Sequence, residues 1–254
     1  MRSIPAISGV GRLGLRSSAP IQEFRSDSDR LRVVEEARVT LGKMQNPVRG
    51  FLHGTAAVAS VVGTVFLVVH ARTGPSKAAV LVFGLGLVGL YTTSSLYHAV
   101  PWREKWKLRM QRADHAMILV LIASSYTPVA AIGLEGWLRW TTLAVVWTIA
   151  LTGVTHLLFV RHARFHLSIV LMATLGWMSV FIVWPFARRA GMAAVVLIAA
   201  GGLLYTLGMV LVVNNRPRLW PRVFSSHEVF HVLVIVASVL HFTATYRYVV
   251  PLAS

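Results

Sequence analysis

The stretch AGMAAVVLIAAGGLLYTLGMVLVV, residues 190–213, runs for 24 residues without one charged side chain. A helix needs roughly 20 apolar residues to cross a bilayer, so this run is long enough to span one. Outward from it, comparable runs fall near 51–70, 77–100, 113–133, 137–160, 167–186 and 227–250, which makes seven spans. Unpaired backbone groups are so unfavourable in lipid that such runs are expected to be helices, and their lack of alternation agrees. Two breaks are slight: Glu135, Gly136 and Arg139 mark the third gap, and Arg188, Arg189 and Gly191 the fifth. Pro128 and Pro185 are expected to kink or end helices. The fold class predicted is an all-α membrane protein, a seven-transmembrane-helix bundle.

Composition agrees. Of 254 residues, 56% are hydrophobic and only 13% charged, and the mean hydropathy is +0.65, too apolar for an ordinary soluble domain. The net charge of +16 raises the question of nucleic acid. However, the cations sit in the N-terminal segment and in short gaps between apolar runs, not on one continuous patch, so no nucleic-acid partner is expected. There is no cysteine, which excludes disulfides, thiolate metal sites and cysteine nucleophiles. Any transition metal must therefore rely on histidine and carboxylate. Residues 1–50 hold no apolar core of the length a secretory signal needs.

Lysine and arginine decide the expected orientation. Nineteen of the 25 fall in the N-terminal segment and the gaps after spans two, four and six, against six on the other side. The N-terminus is thus expected in the cytoplasm and the C-terminus outside. Residues 1–46 differ from the rest: Met1–Pro20 carries three arginines and no acid, and Asp27–Lys43 has the pattern of a short amphipathic helix. This part is read as a mobile basic cytoplasmic segment ahead of the membrane domain, 47–254. A mitochondrial transit segment shares its composition.

Ionisable groups inside spans are functional candidates by default. His98 ends span two, with Ser94 one turn earlier on the same face. Asp114 opens span three, and His227 and His231 open span seven, four residues apart and so on one face. With the orientation above, all of these lie near the cytoplasmic ends of spans two, three and seven. Two histidines at i and i+4 chelate one zinc ion, and a third leaves the fourth tetrahedral position open, the pattern of catalytic rather than structural sites. Zinc brings the pKa of its bound water to about 7, and a nearby carboxylate then takes the proton during attack on a carbonyl. Asp114 fits that role, and Ser94 is placed to orient the water or donate to a developing oxyanion.

Blander uses exist for each group. A single histidine near a helix end is usually hydrogen-bonded to a carbonyl, and His53, His70, His115, His162, His166 and His241 are read that way. For His156, deep in span four, the sequence alone suggests no partner. Asp114 has an alternative use as partner to Arg112, and a lone membrane serine usually bonds its own backbone. Agreement of spacing and membrane side across three helices favours the metal reading.

The segments SSLYH at 94–98, RADHAMILVLIASSYTP at 112–128, GGLLYTLG at 201–208 and HEVFH…SVLHF at 227–242, with weaker NPVRGFLH at 46–53 and LGWMSV at 175–180, carry a resemblance. The chain resembles the hemolysin III branch of the progestin and adiponectin receptor family from about Pro47 to Phe242. That resemblance implies a seven-helix fold with zinc held by His98, His227 and His231 and with Asp114 acting through bound water. Ser94 matches the serine of the Ser-x3-His motif. The long basic N-terminal segment departs from the branch, which often keeps it short. Relatives include receptors with ceramidase-type activity, and a wider superfamily includes alkaline ceramidases.

The function expected is therefore a multi-pass protein of the cell membrane with a Zn2+ cofactor, hydrolysing a lipid amide or ester, with membrane lipid and a lipid-like substrate as partners. The alternative is a non-enzymatic lipid-sensing receptor-like module or a pore-promoting cytolysin with structural zinc. A third reading takes HEVFH as the H-E-x-x-H protease signature with Glu228 as base. His98 with Asp114 completes a site without Glu228.

Overall fold

The computed structural model describes residues 44, 46–160, 165–217, 219–220 and 224–253. The basic segment up to residue 43, including the amphipathic helix expected over Asp27–Lys43, lies outside the described residues, as do Arg161, His162, Arg164, Arg218 and Arg222. So does the side chain of His166. The elements are α1 (Pro47–His70), α2 (Gly74–Ala99), α3 (Glu104–Gly133), α4 (Gly136–Phe159), α5 (Phe165–Trp177), α6 (Val183–Ala190), α7 (Met192–Val213) and α8 (Ser226–Ala244). A 3₁₀ segment, Met178–Ile182, joins α5 to α6 in one span, and a π turn, Thr245–Val249, continues α8. Among the described residues, seven helical segments are long and apolar enough to cross a membrane. The chain is a seven-helix integral membrane protein.

The spans match the apolar runs, and the differences at their ends have local causes. α3 begins at Glu104, nine residues before the expected start, because residues 104–112 are good helix formers that a hydropathy count does not see. Asp114 therefore sits in the interior of a 30-residue helix rather than at its opening turn. Pro128 does not end α3, which runs on to Gly133. The hydroxyls of Ser124, Ser125 and Thr127 ahead of it bond back to the carbonyls of Leu121, Ile122 and Ala123, as serine and threonine in membrane helices commonly do. Pro185 sits in the first turn of α6, where its missing N–H is not needed; the change in helix type falls ahead of it. Gly191, at φ 83°, supplies the left-handed turn between the fifth and sixth spans.

Sequential helices α1 to α4 pack pairwise, α8 packs on α7, and α3 also meets α5, α6 and the turns after α8. Its apolar side is accordingly the centre of the bundle, with Leu119, Ala123 and Ala130 fully buried. The outer faces are apolar as well. Val65, Val69, Phe181, Val196 and Leu203 are each more than half exposed, a surface that suits lipid rather than water. Exposed tryptophans flank it, Trp106 and Trp220 at one end and Trp137, Trp140 and Trp184 at the other, where amphipathic rings favour the headgroup level.

At the site end, α1 is fastened to the end of α2. The Asn46 N–H donates to the His98 carbonyl at 2.8 Å, and the Ser95 hydroxyl donates to the Gly50 carbonyl at 2.8 Å. A Cβ on Gly50 would come within 2.9 Å of the Ala99 Cβ, so only glycine permits this approach. At the opposite end, Arg189 and Glu135 form an ion pair that links the two weakly marked gaps.

Candidate metal centre

Three histidines from the ends of two helices meet at one end of the bundle. His98 comes from the last turn of α2 and His227 and His231 from the first two turns of α8. One ligand atom from each lies within 4.8 Å of the others, so this group is able to hold a metal ion. Their ring centroids are 4.9 to 5.3 Å apart. His98 and His231 are buried and His227 partly so.

The donor set fits zinc on two counts. Three imidazoles, with no carboxylate in the same group of ligand atoms, suit that ion. Nδ1 of His231 is also buried without a hydrogen-bond partner among the described residues, and a group of that kind normally has an ion or an outer partner to satisfy it.

Ser94, buried one turn before His98, hydrogen-bonds the Asp114 carboxylate of α3. The serine hydroxyl is the only possible donor of the two when the acid is ionised, so it ties the carboxylate to the residue that lies one helical turn, roughly 6 Å along α2, before His98. Arg112, the alternative partner considered for Asp114, donates to the Val160 carbonyl at 3.2 Å.

Glu228 is occupied. Its Oε1 accepts from Arg49 Nε at 2.7 Å, and its Oε2 accepts from both the N–H and the hydroxyl of Ser225 at 2.7 Å. It is the third residue of α8 and caps it in the S-x-x-E manner. A carboxylate bonded through both oxygens to structural partners is poorly disposed to act as a base.

A family profile described as "Haemolysin-III related" matches residues 42–242. The chain belongs to the hemolysin III family. Among the proteins it is similar to, Hemolysin-3 of Bacillus cereus is 30% identical over 220 residues, covering 85% of this chain and 97% of that one. The Hemolysin-3 homolog of Bacillus subtilis (strain 168) is 29% identical over 201 residues, 78% and 91% of the two chains. Monocyte to macrophage differentiation factor of Homo sapiens is 24% identical over 207 residues, 78% and 82%. In this hemolysin III chain the matched region contains Ser94, His98, Asp114, His227 and His231 together.

The remaining histidines divide. His70, His115 and His241 bond the carbonyls of Phe66, Gln111 and Ile198, as single histidines near helix ends or in helix cores do. His53 does not. Its polar neighbour is the backbone of His231, but neither ring nitrogen reaches hydrogen-bond alignment. Its ring instead lies on that of His231 with centroids 3.9 Å apart. Arg49 and His53 belong to the NPVRGFLH segment, and their i, i+4 spacing was the available signal for a shared role.

Proposed function

We propose that this hemolysin III protein is a zinc-dependent hydrolase of a lipid amide or ester, working at the cytoplasmic face of the cell membrane. The observation that carries the reading is the convergence of His98, His227 and His231, with Asp114 held by Ser94 one helical turn from His98. Zinc in a three-imidazole site polarises a carbonyl and makes water nucleophilic near neutral pH. His98, His227 and His231 would hold it. Asp114 accepts the proton of the attacking water and returns it to the leaving group. Ser94 is a positioning residue, since its hydroxyl is committed to Asp114. Placement at the helix ends lets an acyl chain stay among the spans while its polar bond meets the site. Comparison of the lipids of cells bearing the unaltered chain with those bearing Asp114→Asn tests the activity: one class of acyl amide or ester is expected to accumulate in the variant. Identical lipid profiles would count against hydrolysis.

The name Hemolysin-3, carried by the similar Bacillus cereus protein, favours a second reading, a membrane-perturbing protein whose metal is structural. The lipid comparison separates the two.

The orientation proposed places the N-terminus and the 101–112 loop in the cytoplasm, supported by the nineteen-to-six division of basic residues. Cysteine or fluorescent tags at the N-terminus and in that loop are expected to report cytoplasm, and one after Ser254 the opposite face. Termini on one side would defeat the orientation and the odd span count with it.

A further inference from the structure

Arg49 and His53 are one turn apart on α1 and so share a face. Both are buried, at 5% and 3% exposure. Each reaches the turn of α8 that carries two of the three histidines. Arg49 Nε donates to Glu228 Oε1 at 2.7 Å, and Glu228 stands between His227 and His231 in sequence. The His53 ring stacks on the His231 ring, tilted by 30°, and is met edge-on by Tyr91 at 5.0 Å. Tyr91 in turn donates to the Ser238 hydroxyl at 2.7 Å, two turns further along α8. The same first turns of α1 hold the end of α2 through Asn46, Gly50 and Ser95. Thus the two helices that supply the triad of His98, His227 and His231 are both registered to α1, which supplies no member of it.

We propose that Arg49 and His53 form a brace that fixes the ligand-bearing turn of α8 and thereby sets how tightly the metal centre binds its ion. The proposal rests on the triad being a metal site. A buried ion pair is weak grounds for stability, because desolvation offsets much of the attraction, and charged groups in membrane helices are retained where they serve a function. What the pair does supply is geometry. Glu228 Oε2 is anchored to Ser225, so Arg49 on Oε1 leaves the carboxylate little freedom to swing, and the backbone between His227 and His231 is held with it. The stacked His53 ring limits rotation of the His231 imidazole in the same way. Ligand sites need such support to keep their donors within a few tenths of an ångström of the productive arrangement. Arg49 and His53 lie outside the three-histidine group and reach it through Glu228 and His231, so both are positioning residues.

The test uses the full chain in lipid nanodiscs, with zinc affinity from chelator competition, cobalt(II) absorption as a reporter of ligand geometry, and thermal unfolding without metal as a separate measure of the fold. Arg49→Met is expected to lower metal-free stability and to weaken zinc by about tenfold or more, the effect typical of losing an outer-shell partner. In Arg49→Met/Glu228→Gln no lone charge stays buried, so stability is expected to recover. Zinc affinity is not, and the cobalt bands stay displaced. His53→Ala is expected to weaken zinc by about tenfold, while His53→Phe, which keeps a stacked ring, stays within about threefold of the unaltered chain. The brace is overturned if zinc affinity simply follows metal-free stability through the series, recovering in the double variant, or if His53→Ala binds zinc like the unaltered chain. A different failure, an unaltered chain that binds zinc no better than His98→Ala, would remove the metal reading itself and the brace along with it.

Discussion

Alanine in place of His98, His227 or His231 is expected to strip most of the zinc from the purified protein. Each imidazole is one of the three donors that come together among the described residues. Losing an outer-shell partner already weakens metal sites 10- to 100-fold, so losing a ligand is expected to lower affinity on the order of 100-fold or more. Metal analysis of the three purified variants against the unaltered chain gives the result directly. Thermal stability measured with excess zinc is expected to fall as well, since an ion that binds only the folded state stabilises it in proportion to its affinity. The matching control is His241→Ala. His241 lies ten residues beyond His231, roughly 15 Å along the helix, and bonds the Ile198 carbonyl. Its loss is expected to leave the metal content unchanged while loosening the contact with α7. Equal loss of zinc in the His241 variant would mean that the ligands are other than these three.

The second large effect concerns the two carboxylates near the centre. Asp114→Asn is expected to retain zinc and to lower hydrolysis by about 100-fold or more, because the amide cannot accept a proton and general-base catalysis contributes about 10²- to 10⁴-fold. Glu228→Gln, assayed with zinc well above saturation, is expected to keep substantial turnover. Its carboxylate is already committed to Arg49 and Ser225, so the damage should fall on the fold. Removing one partner of a buried ion pair typically costs about 3–5 kcal/mol, less where the replacement keeps an acceptor in place. Reversal of the two outcomes would replace the lipid-hydrolase reading with a proteolytic one based on H-E-x-x-H. No change in either variant, with zinc still bound, would make the metal structural and favour the membrane-perturbing reading.

Much of this was legible in the sequence because a bilayer enforces simple rules. The run at 190–213 could be read as a span from its length alone, and the i, i+4 spacing of His227 and His231 fixes their common face whatever the rest of the chain does. His98 was reachable by a longer step. Counting spans put the end of the second and the start of the seventh on one side, and the structure brings these ends together. The S-x-x-E cap at Ser225–Glu228 was also written locally, although H-E-x-x-H overlaps it and suggests a different use for the same acid.

By itself, then, the sequence determined the seven helices, which ends share a side, and the residue types able to hold an ion. These depend on apolar length and helical period, which are properties of short stretches. Only the tertiary structure decided that Ser94 bonds Asp114, that Glu228 belongs to Arg49 across 179 residues, and that His53 stacks on His231 instead of bonding a carbonyl. Each of these contacts depends on which faces of non-adjacent helices meet and at what height. Hydropathy is nearly uniform around helices that pack against protein on one side and lipid on the other, so it does not mark the inward face. Close packing of small and polar groups, such as Gly50 against Ala99, sets that rotation and height, and it exists only once the helices have been brought together.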